Sequence, residues 1–64
     1  MSDKTKTLVR KLQDGWITVS DIGEETGWKP HTIRAFISTQ AKKLNLKAER
    51  ARDNGITSYR LAAP

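Results

Sequence analysis

Asn54-Gly55 constrains the fold of this chain more tightly than any other pair of its residues. A two-residue type I′ turn needs positive φ at both positions, and Asn-Gly accepts that geometry most readily. Leu46 to Ala51 and Ile56 to Leu61 flank Arg52-Asp53-Asn54-Gly55 with strand-like composition. If Asn54 and Gly55 are the turn, the register follows: Asp53 opposite Ile56, Arg50 opposite Tyr59, Glu49 opposite Arg60 and Ala48 opposite Leu61. Alternate rungs share a face. Leu46, Ala48, Tyr59 and Leu61 therefore point one way, and Glu49 meets Arg60 as an opposite-charge pair on the other side.

Three helices are expected before this hairpin. From about Lys4 to Gln13, Leu8, Val9 and Leu12 fall at helical spacing; Ser2 or Asp3 caps the start and Asp14-Gly15 ends the run. Trp16-Ile17-Thr18 has the composition of a short strand, suited to join the hairpin as a third. Thr18 is then the N-cap of a second helix, about Val19 to Thr26. Its hydroxyl accepts from the Asp21 amide, and the Asp21 carboxylate reaches back in a variant of the capping box. Gly27 stops that helix by taking the left-handed conformation. Pro30 suits the first turn of a third helix, running to about Leu44. Its apolar stripe is Ile33, Phe36, Ile37, Ala41 and Leu44. His31, Ala35, Ser38 and Lys42 occupy the opposite side, flanked by Arg34 and Thr39.

The chain, residues 1–64, has room for one domain with a small core. It has no Cys and a single His, so a disulfide framework and a thiolate zinc site are excluded. No cofactor is implied, and no small-molecule ligand is evident. Twelve Lys and Arg against seven Asp and Glu give a net charge of +5, which favours a polyanionic partner. No apolar run approaches the length of a membrane span and no signal peptide is evident, so the expected location is cytoplasmic. An enzyme is not expected: the chain offers no Cys nucleophile, no Gly-rich phosphate loop, no His–carboxylate pair and no metal-ligand spacing.

Val19 to Phe36 resembles the helix-turn-helix pattern: apolar Ile22, small Gly23, turn glycine Gly27, apolar Trp28, then apolar Ile33 and Phe36. Gly23 is expected to let the next helix approach closely, and the four large residues to weld the two helices at a fixed angle. The stretch Thr26-Gly27-Trp28-Lys29-Pro30-His31-Thr32-Ile33-Arg34, with Lys42-Lys43-Leu44 and Tyr59-Arg60, is similar to something narrower. It resembles a family of short bacterial and phage-associated proteins of unknown function with a Thr-Gly-Trp-x-Pro-His-Thr-(Val/Ile)-Arg core. The resemblance implies an α+β fold, a small winged helix-turn-helix with three helices followed by a C-terminal β-hairpin wing. By inference from that fold it implies DNA binding.

Double-stranded DNA is accordingly the expected partner, with the third helix in the major groove and the role that of a transcriptional regulator. Small Ala35 and Ser38 permit close approach. Arg34 is the foremost candidate for a bidentate guanine contact or a phosphate clamp, with His31, Thr32, Ser38 and Thr39 as further contacts. Lys29 and the amides at the start of the helix are placed to bind a phosphate. Lys42 and Lys43 extend the basic track, and Arg50, Arg52 and Asn54 near the wing tip are candidates for an adjacent backbone or minor groove.

Each residue also has a plainer reading. Trp28 after the turn glycine is expected in the core, whereas Trp16 either fills the core beneath the wing or forms a dimer contact. Wing arginines also protect an edge strand, and a lysine pair also solvates a helix. The rival function is a protein-interaction module on the same fold, which an exposed apolar patch around Trp16 or Ile56 would favour. RNA ranks lower, since no aromatic stacking platform is present. One module reads few base pairs, so a homodimer or tandem assembly is expected, through the first helix, Trp16 or the C-terminal strand.

Overall fold

The computed structural model describes residues 3–64; the expected Ser2 cap lies outside them. Its elements run α1 (Asp3–Asp14), β1 (Ile17–Thr18), α2 (Val19–Thr26), α3 (Pro30–Leu44), β2 (Lys47–Asp53) and β3 (Ile56–Ala62). The strands form one antiparallel sheet of order β1-β3-β2. This is a small α+β arrangement consistent with a winged-helix-like fold.

Local chemistry accounts for the ends of α2 and for the hairpin turn. The Thr18 hydroxyl accepts from the Asp21 amide at 3.1 Å to cap α2. Gly27 ends that helix at φ 75°, its N–H bonded to the Gly23 carbonyl at 2.7 Å. Thr26 then fastens the turn from both sides. Its hydroxyl donates to the Ile22 carbonyl at 2.7 Å and accepts from the Trp28 amide at 3.1 Å. Asn54 and Gly55 adopt φ 50° and 79°, and the hairpin pairs Asp53 with Ile56, Arg50 with Tyr59, Glu49 with Arg60 and Ala48 with Leu61. β1 adds Ile17 opposite Tyr59 and Thr18 opposite Ser58.

The core is Leu8, Val9 and Leu12 of α1, Ile22 of α2, Ile33, Ile37 and Ala41 of α3, and Tyr59 and Leu61 of β3. Ile17, Val19, Trp28, Phe36 and Leu46 pack around its margin. The Trp28 and Phe36 rings meet at 5.0 Å, tilted by 55°, and join the turn to α3.

Four expectations change. Leu44 is 45% exposed, because the left-handed Asn45 reverses the chain there and Leu46 folds back in its place. The Leu46 amide bonds the Ala41 carbonyl at 2.8 Å, a Schellman geometry whose apolar contact favours the residue after the cap over the residue before it. Gln40, absent from the expected apolar stripe of α3, is buried with it. Ala48 faces the expected side by register but is exposed, since only the β3 half of that face is buried. A Cβ on Gly23 would meet the Trp28 carbonyl at 3.5 Å, ordinary contact, so no close approach requires glycine there.

Trp16 is 46% exposed and outside the core. Strand alternation places it with Arg60 and Glu49 on the sheet face turned away from the core. There the Arg60 guanidinium lies 5.0 Å over its ring and also pairs with Glu49.

Candidate nucleic-acid interface

α3 is the one long helix without a carboxylate. None of its fifteen residues is acidic. With Ile33, Ile37, Gln40 and Ala41 turned inward, His31, Ala35, Ser38 and Lys42 form an exposed strip along its outer side. Lys29, Thr32, Arg34, Thr39 and Lys43 are exposed beside it. Small residues sit mid-strip, so another surface can come close to the helix backbone there.

Arg34 occupies the flank of the strip that faces the hairpin. An open cleft lies between them, lined by Val19, Ser20, Pro30, His31, Arg34, Arg50, Gly55, Ile56, Thr57 and Tyr59. Arg50 reaches this cleft because it stands opposite Tyr59 on the inward-facing side of the hairpin. Arg52, opposite Thr57, shares that side one rung pair nearer the tip, and Asn54 is in the turn itself. The inward face of the hairpin thus passes from apolar at Leu61 to basic at Arg50 and Arg52. No carboxylate lines the cleft.

The structure therefore joins His31, Arg34 and Arg50 in one cleft and leaves Lys29, Thr32, Ala35, Ser38, Thr39, Lys42, Lys43, Arg52 and Asn54 exposed around it. Two of these are more restricted than their residue type suggests. The Thr39 hydroxyl donates to the Ala35 carbonyl at 2.9 Å, so toward a ligand it presents lone pairs and not its proton. At the start of α3, the Thr32 and Ile33 amides both donate to the Lys29 carbonyl at 3.0 Å, and Pro30 has no N–H. Only the His31 amide remains as an open donor in that turn. Lys29 itself caps the helix without a side-chain bond.

Ser20, Ile56 and Thr57 line the cleft although sequence reasoning assigned them no contact. Thr57 was within reach of that reasoning: the Asn54-Gly55 register sets it opposite Arg52. Ser20 was not, because its position depends on how α2 meets the hairpin.

The match to a family model extends over residues 3–61. The chain belongs to the family described as Protein of unknown function (DUF3489). The matched span in this DUF3489 chain takes in all six elements up to the penultimate residue of β3, so cleft and strip both lie inside it. No curated protein and no solved structure matches the chain. Across the described residues, no helix is long and apolar enough to cross a membrane.

Proposed function

We propose that this DUF3489 chain is a winged helix-turn-helix protein that binds double-stranded DNA in the cytoplasm as a transcriptional regulator. In this reading α3 enters the major groove and the hairpin rests on the adjacent backbone or minor groove. The observation that carries it is the acid-free α3 strip, bordered by a cleft that sets Arg34 against Arg50. Phosphates flanking a groove supply the charge such a surface accepts, and a strip with small residues at its centre fits a helix close to base edges.

The Thr26-to-Arg34 motif divides its work accordingly. Thr26, Gly27 and Trp28 make the turn, Pro30 starts α3, and His31, Thr32 and Arg34 are left exposed for contact. Arg34 reads a guanine edge, Arg50, Arg52 and Asn54 hold the neighbouring strand, and Lys29, Lys42 and Lys43 bind phosphates. Thr39, with its proton committed to the helix, serves as an acceptor for a base amino group.

A second reading is favoured by Trp16 and Ile56, which are 46% and 56% exposed: the same fold as a protein-interaction module. Fluorescence anisotropy on random and genomic duplexes across a salt series separates the two. DNA binding predicts a steep fall of affinity with salt, loss of sequence preference in Arg34→Ala, and in Arg52→Ala a uniform weakening with the salt slope reduced by about 1. Folded protein that binds no duplex at low salt defeats the DNA reading.

A further inference from the structure

Among the described residues, three large apolar side chains stand exposed: Trp16, Leu44 and Ile56. Ile56 belongs to the cleft already described. The other two lie in separate grooves on either shoulder of α1, and the two grooves carry opposite charge.

The groove holding Trp16 is lined by Lys11, Asp14, Gly15, Ile17, Asp21, Glu24 and Glu25. Four of the chain's seven carboxylates thus gather in one place on a molecule of net charge +5. Lys11 pairs with Glu25, which leaves Asp14, Asp21 and Glu24 to set the sign of the groove. The groove holding Leu44 is lined by Lys6, Val9, Arg10, Gln13 and Gln40 and has two cations and no carboxylate. Each groove therefore presents an apolar centre with a charged rim, and the rims are complementary.

We infer that the Trp16 groove of one copy receives the exposed Leu44 of the next, with Lys6 and Arg10 against the acidic rim, so that copies associate head to tail. An isologous dimer centred on either groove would set acidic rim against acidic rim or basic against basic, whereas a heterologous contact between the two grooves sets unlike rims together. Neither groove includes a residue assigned to the DNA interface, so the contact leaves the outer strip of α3 and the wing free. The inference rests on the DNA reading for the template that gathers the copies: each carries +5, and phosphates offset the repulsion that keeps free copies apart. The result is a directional array in which one bound copy favours the next.

The test compares a duplex of about 12 base pairs, little more than one helical turn and room for one copy, with one of about 60, room for several. Wild type is expected to bind the long duplex with a cooperativity factor of about tenfold or more, which Trp16→Ala abolishes, as removal of a central aromatic anchor does. Affinity for the short duplex should not change in that variant. Glu24→Lys and Arg10→Glu, both at exposed helix positions, should each lose cooperativity as single variants and regain it when combined in one chain. Wild-type binding to both duplexes without cooperativity overturns the inference and leaves the DNA reading standing, as does saturation at two copies, which marks a closed dimer. Binding to neither duplex defeats the DNA reading. The contact is then judged by sedimentation equilibrium of free protein taken to high concentration, where mass action outweighs the repulsion between copies: a mass that rises with concentration in wild type but not in Glu24→Lys upholds it, and a monomer throughout overturns it.

Discussion

Trp28 and Trp16 are the same side chain in opposite situations. Trp28 is half-buried, tilted against Phe36 at 5.0 Å, with its own amide held by the Thr26 hydroxyl. Trp16 is 46% exposed and outside the core, with a guanidinium over its ring. The difference lies in what precedes each residue and not in the indole. A left-handed glycine turns the chain at Gly27 so that the next residue falls toward α3. Ahead of β1 the alternation of strand faces rules instead, and it sends position 16 to the side occupied by Arg60 and Glu49. A large apolar residue in a small domain is thus a core residue only where the backbone directs it inward.

That contrast can be broken by measurement. The largest expected effect is that of Trp28→Ala, a loss of about 2–3 kcal/mol in urea denaturation, below the ~3–5 of a fully buried aromatic because part of the side chain stays in solvent. A cost under about 1 kcal/mol would mean that the Trp28–Phe36 contact contributes little. Gly27→Ala comes next, at about 1–2 kcal/mol, because a Cβ in the left-handed region is strained even though the space around it is open. An unchanged midpoint would show that another conformation serves the turn equally well.

Trp16→Ala should cost less than about 1 kcal/mol, the range of an exposed cation–π contact, by the same denaturation assay. If it costs as much as Trp28→Ala, the two tryptophans are not opposites and Trp16 supports the fold. Gly23→Ala sharpens the comparison from the other side. The contact at 3.5 Å is comfortable and the site is inside α2, so alanine should raise stability by about 0.5–1 kcal/mol. Destabilisation would mean that the approach of Trp28 does depend on that glycine.

The parts of the fold legible in advance were those written in adjacent residues. Asn54-Gly55 specified seven rungs of pairing, Thr18 with Asp21 specified the start of α2, and Gly27 specified its end. Arg50 could be placed beside Arg34 only after the hairpin face was known to lean on α3. What escaped reading depends on competition between near neighbours or on contacts between distant ones. Leu44 and Leu46 both suit the core, and the left-handed Asn45 between them decides for Leu46. Gln40 shares the inward side of α3 with Ile33 and Ile37, a position helical spacing alone assigns to an apolar residue. The commitment of the Thr39 proton to the helix, and the gathering of acids from α1 and α2 around Trp16, become visible only in three dimensions.

The packing of α1 against β3 has a consequence for how the molecule assembles. The hairpin can zip from Asn54-Gly55 outward through contacts close in sequence, and such events take microseconds. Tyr59 and Leu61 are buried, however, only once Leu8, Val9 and Leu12 arrive from some fifty residues earlier in the chain. Closing that span is the slow, entropically costly act, and no partial structure can retain the core without it. Cooperativity of folding is therefore built into the order of the elements. A fragment without α1 would keep the hydrogen-bonding pattern of its hairpin and lose the reason for that hairpin to stay folded.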